Sequence, residues 1–192
     1  MVARAGALQE LWGEIERIPG LSKRLGITEA DLLESDPCVC LASWDVEYKI
    51  LCDSAGVLCL IRSDRGQDAP YFRTDSARAL TVQLAYRALS GAGVFFPGHS
   101  PYDEIPRGFD LEQREELDEY ENQRTVVRWL WGEHHWAEVV DRYSLLEGFK
   151  WAWMFTASDT TIANALALED GRPLFRPLPG PKVEHPQGDL RN

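Results

Sequence analysis

Trp131, His134, Glu138 and Asp141 lie 3, 4 and 3 residues apart. Side chains at those intervals stack along one side of a helix and converge. An imidazole four residues before a carboxylate makes half of a divalent-metal site, or an acid–base pair in which the carboxylate fixes the tautomer. The expectation is a small metal-dependent hydrolase with His134, Glu138 and Asp141 on a helix over 124–147, and Glu133 and His135 beside them. The segment Glu133–Glu138 is not the His-Glu-x-x-His motif of zinc proteases. Further ligands would come from elsewhere, and His99 and His185 stand in no motif. The plainer account of the row is a solvated helix face with an intrahelical His–Glu contact.

A second candidate is electrostatic. The segment 110–121, DLEQREELDEYE, carries seven acidic residues and one arginine, more than half of the net charge of −11. Asp110, with Gln113 three residues on, suits a helix N-terminus. Leu111, Leu117 and Tyr120 are too few to form a buried stripe. A projecting acidic helix follows, with Glu112, Glu115, Glu116, Asp118, Glu119 and Glu121 available to a basic partner by charge complementarity. Charge runs most often mark a solvated face. A DNA mimic that inhibits a nucleic-acid-binding protein is a further reading of the same run.

Several elements must position these residues. Leu8, Leu11, Trp12, Ile15 and Ile18 recur at helical spacing before Pro19-Gly20. Thr28 with Asp31 is a capping-box variant opening a second helix. Residues 38–62 then hold three short apolar runs, read as an antiparallel meander. Asp53 to Gly56 suits a type I turn with a glycine bulge, a three-residue loop that sets Cys52 opposite Leu58 and Leu51 opposite Cys59. A helix over 76–90 has an apolar face wide enough to cover the three strands. Residues 91–110, with three prolines and four glycines, read as a long loop.

Five of the seven tryptophans fall between 124 and 155. Those before Gly148 keep helical spacing, and Gly148 reads as the helix end. The run FKWAWMF then alternates, with Phe149, Trp151, Trp153 and Phe155 on one face, as a strand would. Packing of this strand under Trp129 and Trp136 is the simplest use of so much aromatic area. Residues 156–178 fit either a short helix opened by Ser158 or Asp159 and running through Leu168, or a hairpin about Glu169-Asp170-Gly171-Arg172, and the helix is the expectation.

Three other motifs carry little. The cysteine spacings Cys38-x-Cys40 and Cys52-x6-Cys59 do not suit zinc knuckles, and the turn register places Cys52 and Cys59 on opposite sheet faces. Core thiols follow. Residues 21–33 resemble a helix-turn-helix corner in outline, but Glu29, Asp31, Glu34 and Asp36 give its second helix the wrong sign for a DNA groove. His99, Ser100 and Asp103 share a loop with no nucleophile elbow or oxyanion donors.

At 192 residues with 44% hydrophobic and 27% charged content, the chain reads as an α+β domain. The expected architecture is N-terminal helices, a central three-stranded antiparallel meander covered by a helix, then a long acidic C-terminal helix followed by an aromatic strand. The expected domain spans 1–178, with a possible division into 1–92 and 109–178, and an extended proline-rich tail over 179–192. Net negative charge disfavours nucleic-acid backbones and anionic membranes as direct partners. No run reaches the ~18 apolar residues of a membrane span, and no signal peptide is recognisable, so a cytoplasmic protein is expected. The leading functional expectation is a non-enzymatic protein-binding or regulatory factor with no cofactor. The metal-dependent hydrolase, with a divalent cation, is its alternative.

Overall fold

The computed structural model describes residues 2–42, 45–90, 105–117, 123–140 and 144–168. Three helices open the chain: α1 (Val2–Glu16), α2 (Leu21–Leu25) and α3 (Glu29–Glu34). Thr28 caps α3, its hydroxyl accepting from the Asp31 amide at 3.3 Å while the Asp31 carboxylate accepts from the Thr28 amide at 2.8 Å. Leu11, Ile15, Leu21 and Leu32 from these helices are fully buried.

Four strands follow: β1 (Cys38–Cys40), β2 (Val46–Cys52), β3 (Leu58–Asp64) and β4 (Gln67–Thr74). Cys52 pairs with Leu58 and Leu51 with Cys59, as the three-residue loop requires. Gly56 takes a φ of +91° there, and the Asp53 carboxylate accepts from the amides of Ala55 and Val57. β4 is a fourth strand beyond the three that the apolar runs of 38–62 predict. Arg65 (φ +50°) and Gly66 (φ +82°) form the two-residue turn between Asp64 and Gln67, and two positive φ values match the twist of a hairpin. A register shift between Leu60 and Ile61 leaves Tyr71 as an extra residue in β4, and Tyr71 and Phe72 are both buried.

Helix α4 (Ala77–Ser90) packs on β3, β4 and α1. Beyond it the architecture departs from expectation. The acidic segment is a strand, β5 (Phe109–Leu117), and the tryptophan-rich segment is a hairpin of β6 (Gln123–Trp131) and β7 (His135–Val140). The seven strands form one antiparallel sheet in the order β1-β2-β3-β4-β7-β6-β5. The expected three strands are therefore one end of a seven-stranded sheet and not its centre, and the described part of the expected acidic helix, residues 109–117, is a strand. Nine residue pairs join β5 to β6, with Phe109 and Leu111 packed on the core and Glu112 and Glu116 placed opposite Arg128 and Arg124, a register in which opposite charges face each other. β6 supplies β-branched and aromatic residues, Thr125 to Trp131, and Gly132 (φ +63°) turns the chain into β7.

The aromatic strand is likewise a helix, α5 (Ser144–Phe155), followed by α6 (Asp159–Leu168). Ser158 caps α6, its hydroxyl accepting from the Thr161 amide at 3.2 Å. Gly148 sits inside α5, where a Cβ would collide with the Trp129 indole. Its hydrogen lets the helix lie against that ring. Trp151 reaches across to donate its indole N–H to the Ala79 carbonyl in α4 at 3.1 Å. Phe72, Phe109, Trp129 and Phe155 surround it with ring centroids 5.3–6.3 Å away. The helices and this aromatic cluster occupy one face of the sheet.

Among the described residues three pairs join β4 to β7, against nine between β5 and β6 and seven between β2 and β3. Among the described residues no helix is long and apolar enough to cross a membrane. The loop residues His99, Ser100 and Asp103 and the tail 179–192 lie outside the described residues.

Candidate functional site

The acidic segment forms one edge of the sheet. Alternation along β5 sends Asp110, Glu112, Arg114 and Glu116 to the face without helices, and Phe109, Leu111, Gln113, Glu115 and Leu117 to the other. Phe109 and Leu111 pack on the core, while Asp110, Glu112 and Glu115 are exposed. Glu115 accepts from the Thr125 hydroxyl at 3.0 Å. Glu116 accepts from two nitrogens of Arg114 at 2.7 and 2.8 Å. The carboxylates therefore split between two faces of a strand instead of lining one side of a helix. Asp118, Glu119 and Glu121 lie outside the described residues.

Glu138, the carboxylate of the expected metal site, is buried at 5% exposure on the face without helices. Its Oε2 lies 2.9 Å from Arg73 on β4, and its Oε1 lies 2.8 Å from Arg114 on β5 and 3.9 Å from Arg128 on β6. Hydrogen bonds from Arg114 to Glu138 and then Glu116 hold the Arg114 proton more tightly than usual. Arg128 also lies over the Trp136 ring, 5.1 Å from its centroid.

His134 occupies the exposed β6–β7 turn, and His135 stacks on Trp131 with centroids 5.9 Å apart. The helical row that would have brought His134 towards Glu138 is replaced by a turn and a strand. Asp141 lies outside the described residues. Among the described residues no three His, Cys, Asp or Glu side chains are grouped to hold a metal ion.

A polar cluster that sequence spacing did not reveal lies between α4 and α5. Arg87 pairs with Glu147, which also accepts from the Tyr71 hydroxyl at 3.3 Å and sits 3.4 Å from the Lys150 ammonium. The Arg87 guanidinium lies over Tyr71 and Tyr86, 4.4 and 4.8 Å from the ring centroids. Burial works to raise the Glu147 pKa, but the charges of Arg87 and Lys150 and hydrogen bonds from Arg87 and Tyr86 outweigh it. The carboxyl is held below its ordinary value.

Beside this cluster, at the β1–β2 end of the sheet, opens a cleft of about 610 Å³. Arg24 of α2, Arg62 of β3 and Arg87 of α4 line it, together with Tyr48 and the apolar side chains of Val39, Leu41 and Val46. Leu41 holds a φ of +51°, with its amide donating to the Leu25 carbonyl at 3.2 Å.

Comparison with known protein families finds no match, and neither does comparison with curated proteins. Among solved structures the chain is similar to Rv3902c from M. tuberculosis. The two are 16% identical, with a TM-score of 0.54 over 76% of this chain and 84% of that one. At that identity the likeness shows a shared fold.

Proposed function

We propose that the protein is a non-enzymatic cytoplasmic binding factor that engages a basic protein partner through the acidic edge strand β5. The observation that carries this reading is the position of β5 at a sheet edge, with Asp110, Glu112 and Glu115 exposed on its two faces. A sheet edge offers backbone groups to an added strand, and flanking carboxylates repel an acidic strand while attracting a basic one. Asp118, Glu119 and Glu121 extend the acidic run in sequence. Regulation follows from occupancy: a partner whose basic surface is covered cannot use that surface elsewhere. Four free cysteines suit a reducing compartment.

The test is a photo-crosslinking residue at position 112, with a control at position 10 on α1. The protein crosslinked at 112 is identified, purified and titrated against the wild type and the Glu112→Lys/Glu115→Lys variant. A basic partner whose affinity drops at least tenfold in the variant, and falls with added salt, supports the reading. Equal affinity for both proteins, or crosslinking at position 10 alone, rejects it.

A further inference from the structure

Three cations from three separate elements line the cleft at the opposite end of the sheet from β5. In a chain with 31 acidic and 20 basic residues, its described lining contains Arg24, Arg62 and Arg87 and no carboxylate. Arg24 and Arg87 lie in the last turns of α2 and α4, where a helix dipole favours a cation. Arg62 comes from a strand and has no such reason to be there. Its ion pair runs along the strand to Asp64, at 3.3 Å and outside the cleft lining, and its Nε is buried with no hydrogen-bond acceptor. A buried donor of that kind calls for an acceptor. Val39, Leu41, Val46 and Tyr48 supply an apolar and aromatic wall beside the cations. The volume of about 610 Å³ falls within the range of small-molecule sites.

From this juxtaposition we propose that the cleft binds a small organic oxyanion, its phosphate or carboxylate group held by Arg24 and Arg62 and its body lying against Tyr48 and Leu41. Guanidinium forks match both oxyanions in planar geometry. Arg87 is held by Glu147 and the tyrosines and adds to the positive field of the cleft. The site is independent of the acidic edge strand and stands or falls separately from it.

Isothermal titration of the full chain with adenosine monophosphate, inorganic phosphate and citrate tests this, with sodium chloride matching ionic strength. Saturable binding of one equivalent of at least one probe is expected, weakened at least tenfold in Arg24→Gln/Arg62→Gln. Phosphate and adenosine monophosphate binding with citrate inert would assign a phosphate ligand, and the reverse a carboxylate. Circular dichroism and melting of the ligand-free variant confirm that its fold is kept. If that variant does not fold, Arg62→Gln alone takes its place. Absence of saturable binding with all three probes, or binding undiminished in a folded variant, overturns the proposal.

Discussion

Arg114 reaches past β6 to the carboxylate of Glu138, 2.8 Å away on the second strand over. The edge strand is thus tied to the interior of the sheet by a bond that skips its neighbour. Arg73 completes the grip from β4, so one buried carboxylate links three strands that do not all touch one another.

This arrangement is asymmetric under mutation. Glu138→Ala takes the shared acceptor from the part-buried Arg73 and from the exposed Arg114, which keeps Glu116, and about 1–3 kcal/mol of stability is expected to be lost. Arg114→Gln leaves Glu138 still paired with Arg73, and the cost is expected below about 1 kcal/mol. Urea unfolding of the two variants ranks them; equal losses would show that Glu138 is not the hub.

Gly148→Ala is expected to cost about 1–3 kcal/mol, because the added methyl meets the Trp129 indole inside a filled core. The change raises intrinsic helix propensity by about 1 kcal/mol, so a net loss in thermal melting would show that contact, not propensity, governs this position. A raised melting temperature would contradict the packing of α5 on β6.

Glu147 sets an acid limit. Its folded pKa lies below its unfolded value, so its contribution to stability is complete above about pH 4.5 and is lost as pH falls through the depressed folded value. Glu147→Gln should flatten the stability curve below about pH 4.5 while lowering stability at neutral pH, where Arg87 loses its partner. Chemical denaturation at a series of pH values reads both effects.

The cysteines are expected to be slow nucleophiles. Burial, with a smaller push from the Asp31 charge, raises the Cys38 thiol to about 11, and burial raises Cys40, Cys52 and Cys59 as well. At pH 8 roughly one Cys38 in a thousand is then thiolate. Alkylation of Cys38 in the folded protein at pH 8 should be about a hundredfold slower than in urea, and the other three thiols should be slowed in the same direction. A thiol modified equally fast in both states would mark a residue open to solvent.

Local chemistry was readable in the sequence where it is self-contained. The Thr28 box, the Asp53–Gly56 loop with its cysteine register and the helix after Ser76 each follow from residues within a turn or two. Segments decided by distant partners were not. Residues 110–117 have good helix formers, and their pairing along the whole length of β6 makes them a strand. In α5 the apolar residues satisfy both periods: Phe149, Trp151, Trp153 and Phe155 alternate, while Gly148, Trp151, Ala152 and Phe155 form a helical face. The arginine cleft was invisible because Arg24, Arg62 and Arg87 meet only through the tertiary fold.

The three pairs between β4 and β7 also dictate an order of events. Strands β1 to β4 join neighbour to neighbour over short connections, and so do β5 to β7, so each stack forms at small entropic cost. The seam of Phe72, Arg73 and Thr74 with Val139, Glu138 and Ala137 brings together residues far apart in the chain. The two hairpin stacks are therefore expected to form before they meet along this seam.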